Sequence, residues 1–140
     1  MGLDQYAGFC GFDGEVWYGD HIFYWRKHAR LQVFFANEFI KQHKNQLQNV
    51  KKEVKKKFDL SHLGFNGGEG GVKIAQELVN RLDKERREGY PNCVAKDGFF
   101  WGQRCQEATI RENKKKDEEF VEWCREQLEK GQEIAYDCSW

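Results

Sequence analysis

The sequence predicts an α+β fold: a small, mainly antiparallel sheet packed with about four helices in a single domain spanning residues 1–140. Three observations lead there. Runs rich in aromatic and β-branched residues lie toward both ends of the chain, at Val16-Trp17-Tyr18, His21 to Trp25 and Ile134 to Tyr136, and this is the composition of strands. Between them, apolar residues recur at helical spacing, most clearly at Leu31, Phe34, Phe35 and Phe39,. Strand-like and helix-like runs follow one another without strict alternation, which is the pattern of an α+β arrangement.

A chain of 140 residues fits one core of ordinary size, and no linker divides it. Charged residues make up 33% and aromatics 15%, so the chain is polar yet too aromatic for general disorder. The formal net charge is zero. Bulk electrostatics therefore select neither an acidic nor a basic partner, and only local clusters can.

The elements follow in order. Between Ala7 and Asp20, Phe12-Asp13-Gly14-Glu15 reads as a hairpin turn between two short strands,. His21 to Trp25 is a strand feeding a helix over about Lys27 to His43, whose phenylalanines form the core nucleus while Gln32, Asn37, Lys41 and Gln42 take polar positions. A second amphipathic helix is expected over 41–57, with Leu47, Val50 and Val54 beneath a lysine-rich face. A third is expected over Ala75 to Glu88, closed by Gly89 and Pro91. Gly98-Phe99-Phe100-Trp101-Gly102 reads as a short strand. A charged linker follows it, then a fourth helix over about Lys115 to Lys130 ended by Gly131, and a strand from Ile134 to Trp140.

Several site classes fail on spacing. The five cysteines, at 10, 93, 105, 124 and 138, contain no CxxC pair, so reduced thiols are expected and no metal site or cofactor is assigned. The glycine run 67–71 before Lys73 suggests a phosphate loop, but Val72 precedes the lysine and Ile74 follows it, where a Walker loop needs Gly and Ser or Thr,. The N-terminal residues lack the basic and apolar regions of a secretory signal. Gly2 lacks the Ser or Thr of a myristoylation motif, because Tyr6 stands at that position,. No run of about eighteen apolar residues marks a membrane span. A cytoplasmic protein is the expectation.

Several anchors occur together: Met1-Gly2-Leu3-Asp4 with Tyr6, Tyr24-Trp25-Arg26-Lys27-His28 with Leu31-Gln32, Phe65-Asn66, Gly98 to Gly102, and the ending Tyr136-Asp137-Cys138-Ser139-Trp140. In this order and over the whole chain, they resemble a family of small, uncharacterised tailed-bacteriophage proteins. The glycine stretch 67–71 and the lysine-rich helix depart from that pattern. The resemblance implies a phage accessory protein acting in the host cell cytoplasm, and it implies no established reaction.

Arg26, Lys27 and His28 stand at the expected strand-to-helix junction, where helix amides favour anions. If the central and terminal strands share a sheet, Tyr24, Arg26, Lys27, His28, Phe100, Tyr136 and Trp140 form a candidate ligand or partner site, with aromatics to stack and an arginine to clamp an anion. The first functional expectation is a non-enzymatic binding or inhibitory protein for a host protein or a nucleotide-like anion, with counter-defence as its setting. A nucleic-acid binder using Lys51, Lys52, Lys55 and Lys56 is the alternative. A small nucleotide-processing enzyme with His28 as acid–base is the third. No catalytic residues are assigned.

Overall fold

The computed structural model describes residues 3–13, 16–19, 21–42, 71–94 and 103–139. Strands β1 (Asp4–Asp13), β2 (Val16–Gly19) and β3 (Phe23–Arg26) precede helix α1 (Ala29–Gln42). After them come β4 (Val72–Lys73), α2 (Gln76–Arg87), α3 (Gln103–Glu112), α4 (Lys114–Glu129) and β5 (Ile134–Ser139). The α+β class is as expected. The expected lysine helix, Gly98–Gly102 strand and glycine run 67–70 lie outside the described residues.

β1 is the centre of the sheet. One edge pairs with β2 through Cys10 to Asp13 and with β3 through Asp4 to Ala7, and the other edge pairs with β5 from Asp4 to Phe9. β4 extends the sheet beyond β5, and every pairing is antiparallel. Asp13 is paired with Val16, which agrees with the expected hairpin. The strand begins at Asp4 rather than near Ala7, because polar Gln5 is wholly buried and takes part in the pairing.

Alternation along the strands divides the sheet into two faces. Trp25 and Tyr136 point inward and are fully buried. α1 meets them with Phe35, whose ring stacks on Tyr136 at 3.9 Å and 6°. α4 meets them with Phe120, which lies edge-on to Trp25 at 4.9 Å, and with Trp123, which packs on Phe9 and Phe23. Leu31, Phe34, Phe35 and Phe39 are all buried, as their spacing predicts.

Gln32, expected on the polar side of α1, is instead completely buried. Its amide oxygen accepts the Tyr136 hydroxyl and its Nε2 donates to Cys138 Sγ at 3.3 Å. Burying an amide without partners would cost a few kcal/mol, and these two partners remove most of that penalty. At the other end of α1, Gln42 brackets the Lys73 backbone, donating to its carbonyl at 2.6 Å and accepting its N–H at 2.9 Å. The pair of bonds ties the helix to β4 as a neighbouring strand would.

Candidate functional site

The C-terminal end of α2, the end of α3 and the start of α4 enclose a cavity of about 480 Å³. Three local features shape it. α2 stops at Gly89, with φ 82°, and the chain turns again at Tyr90, with φ 54°. A bulky residue in the left-handed region is disfavoured, so Tyr90 must be held there by its surroundings. Its carbonyl accepts Arg30 Nη1 at 2.9 Å, and its hydroxyl donates to Asp117 Oδ2 at 2.7 Å.

Asp117 forms the inner wall. The residue is 3% exposed and lies in the first turn of α4, where a carboxylate is favoured by the helix dipole,. It accepts three side-chain hydrogen bonds: Trp25 Nε1 reaches Oδ1 at 2.9 Å, while His28 Nε2 and the Tyr90 hydroxyl reach Oδ2 at 2.8 and 2.7 Å. Burial, and then the neighbouring carboxylate, push the Tyr90 phenol well above its usual value, so it remains a donor,. His28 Nδ1 has no partner among the described residues.

The remaining polar groups on the cavity are cationic. Arg86 and Arg87 come from α2, Arg111 from α3 and Lys114 from α4. Arg86 and Arg87 both reach Asp83, at 2.6 and 3.1 Å, and Arg125 reaches the same carboxylate at 3.2 Å. Burial would raise Asp83, but these three guanidiniums outweigh it and hold its carboxyl below the ordinary range. One negative charge thus serves three positive ones. Arg111 and Lys114 form no ion pair with a described residue, and the cavity keeps a positive balance.

Two other cavities differ in charge. The larger, about 630 Å³, sets Lys73 and Arg125 against Glu129 and Glu133. The smaller, about 320 Å³, contains the Arg81–Glu38 pair and Cys93, whose thiol burial pushes up to about 12. Neither has an unmatched charge comparable to the cavity at Asp117, so volume alone does not pick the site. Among the described residues, no three His, Cys, Asp or Glu side chains are grouped to hold a metal ion, and no helix is long and apolar enough to cross a membrane.

The residues singled out from sequence are dispersed. Tyr24 lies on the outer sheet face, 45% exposed, and its hydroxyl donates to Asp4 Oδ1 at 2.5 Å. Arg26 and Lys27 are exposed, with Lys27 at φ 57° where β3 turns into α1. His28 and Tyr136 point the other way and are completely buried. Phe100, Trp140, Lys51, Lys52, Lys55 and Lys56 lie outside the described residues. At the start of α1, the Gln5 side chain accepts the His28 N–H at 2.8 Å and donates to its carbonyl at 3.1 Å. Gln5 therefore meets the backbone at the place where an anion was expected.

No family model matches the chain, and neither a curated protein nor a solved structure matches it. The site must be read from its own geometry. Sequence reasoning named His28 but missed Asp117, which stands in the run Lys114-Lys115-Lys116-Asp117-Glu118-Glu119 and resembles a solvated charge cluster. It also read α3 as a linker, since Ile110 is the single large aliphatic residue in that helix.

Proposed function

We propose that this protein binds a small phosphate-bearing anion in the cavity between α2, α3 and α4, without covalent chemistry. The observation that carries the reading is the unmatched charge: Arg111 and Lys114 line the cavity with no ion-pair partner among the described residues, beside Arg86 and Arg87, which share Asp83 with Arg125. Guanidinium forks suit phosphate oxygens, and a lysine adds a compact charge. The volume is within the range of about 300–1,000 Å³ usual for small-molecule sites.

Binding rather than turnover is favoured by the state of the nearby groups. Burial raises the Cys93 and Cys124 thiols and the Tyr90 phenol, so none is an activated nucleophile at neutral pH,. The resemblance to small tailed-bacteriophage proteins supports a setting in the infected host's cytoplasm, where the protein would sequester a nucleotide-like signal or block a host component. Calorimetry with inorganic pyrophosphate tests the reading. The parent should bind in a salt-sensitive manner, and R111Q/K114Q should lose at least tenfold in affinity while melting within a few degrees of the parent. Equal affinity of parent and variant, or no binding by the parent, would overturn it.

A further inference from the structure

The cavity is graded in charge and in depth, and the gradient selects an orientation for its occupant. At the rim, the Arg87 side chain is 66% exposed, and Arg111 and Lys114 are exposed as well. Farther in, the Arg86 side chain is 13% exposed. At the floor, Tyr90 and Asp117 are 1% and 3% exposed, and half-buried Ile110 supplies an apolar wall. An anion driven to the floor would meet the Asp117 carboxylate, whereas one at the rim meets three cations.

Asp117 also has acceptor capacity to spare. A carboxylate offers about four lone-pair sites, and three are taken by Trp25, His28 and Tyr90: two on Oδ2 and one on Oδ1. The second lone pair of Oδ1 can accept an N–H or O–H from an occupant. Resting on the anion-binding reading above, we infer that the cavity takes a nucleoside monophosphate with its phosphate at the Arg87–Arg111–Lys114 rim and its base inward, donating an N–H to Asp117 and packing against Ile110 and Tyr90. A planar base matches a floor bounded by an aliphatic wall and a phenol, and every common base carries an N–H on its outer edge.

A matched series of ligands tests this inference separately from the anion site itself. The four nucleoside 5′-monophosphates, ribose 5-phosphate and inorganic phosphate are titrated into the full chain by calorimetry. At least one nucleotide should bind tenfold or more tightly than ribose 5-phosphate. I110W, which narrows the floor without touching the cations, should lose the nucleotide preference while keeping affinity for inorganic phosphate. R111Q/K114Q should weaken every ligand in parallel. Ribose 5-phosphate binding as tightly as the best nucleotide would overturn the base-inward inference and leave the anion site standing. Failure of all six ligands to bind would overturn both.

Discussion

His28 Nε2 donates to Asp117 Oδ2 across 2.8 Å, joining the start of α1 to the start of α4 with neither side chain reaching solvent beyond a few per cent. The same carboxylate holds Trp25 of β3 and Tyr90 after α2. One side chain thus ties α4 to β3, to the start of α1 and to the turn after α2. Removing one member of such a buried network leaves its partners desolvated and unpaired.

Asp117→Ala should accordingly lower stability by about 3–5 kcal/mol, because three buried donors lose their acceptor at roughly 1–3 kcal/mol each. Urea denaturation of the parent and variant measures the difference. A loss below about 1 kcal/mol would mean that the three donors find other acceptors, and the network would not be a structural anchor.

Phe35→Ala tests the core beneath the sheet. The side chain is fully buried and stacks on Tyr136, so truncation should cost about 3–5 kcal/mol in transfer and cavity terms. The same denaturation experiment reads the result. A change under about 1 kcal/mol would contradict the placement of α1 on the inner face.

Asp137 provides a pH-dependent test. Burial raises its carboxyl from 3.8 to about 6, against the lowering effect of the Cys138 backbone N–H at 2.8 Å. Because the folded value exceeds the unfolded one, its contribution is fully present below about pH 4 and is lost as pH rises through about 6. Asp137→Asn should therefore stabilise the protein at pH 7.5 by about 1–2 kcal/mol, after allowance for partial solvent screening. The gain should vanish near pH 4. Melting temperatures of the parent and variant across pH 4–8 would reveal it, and a constant difference across that range would exclude Asp137 as its source.

The elements legible in the sequence were those whose signals are local. The spacing of Leu31, Phe34, Phe35 and Phe39 marks α1, while Gly89 and Gly131, both at positive φ, mark the ends of α2 and α4. The site was much less legible. Gln5, Gln32 and Asp117 are residue types usually exposed, and each is buried because a partner arrives from far along the chain: Tyr136 for Gln5 and Gln32, and Trp25 and His28 for Asp117. Periodicity cannot register such partners. α3 was missed for a related reason, since buried Gln106 is one of its main anchors to the rest of the fold and bonds Arg30 at 2.8 Å.

The pairing of β1 with β5 constrains how the chain can reach this state. Gln5 and Tyr136, which touch across these strands, are 131 residues apart, and Asp4 is paired with Ser139. Contacts of such separation require a large loop to close before they contribute, and they slow folding. During synthesis, β5 is the last described element to be made, and until it arrives β1 has one edge unpaired and α1 has no Tyr136 for Phe35 to cover. The nascent chain therefore carries an unfinished sheet edge and an exposed aromatic seam, the kind of intermediate that associates with other chains. Truncating the last strand should make folding far more prone to aggregation than that of the parent, even though the cavity-lining residues would all still be present.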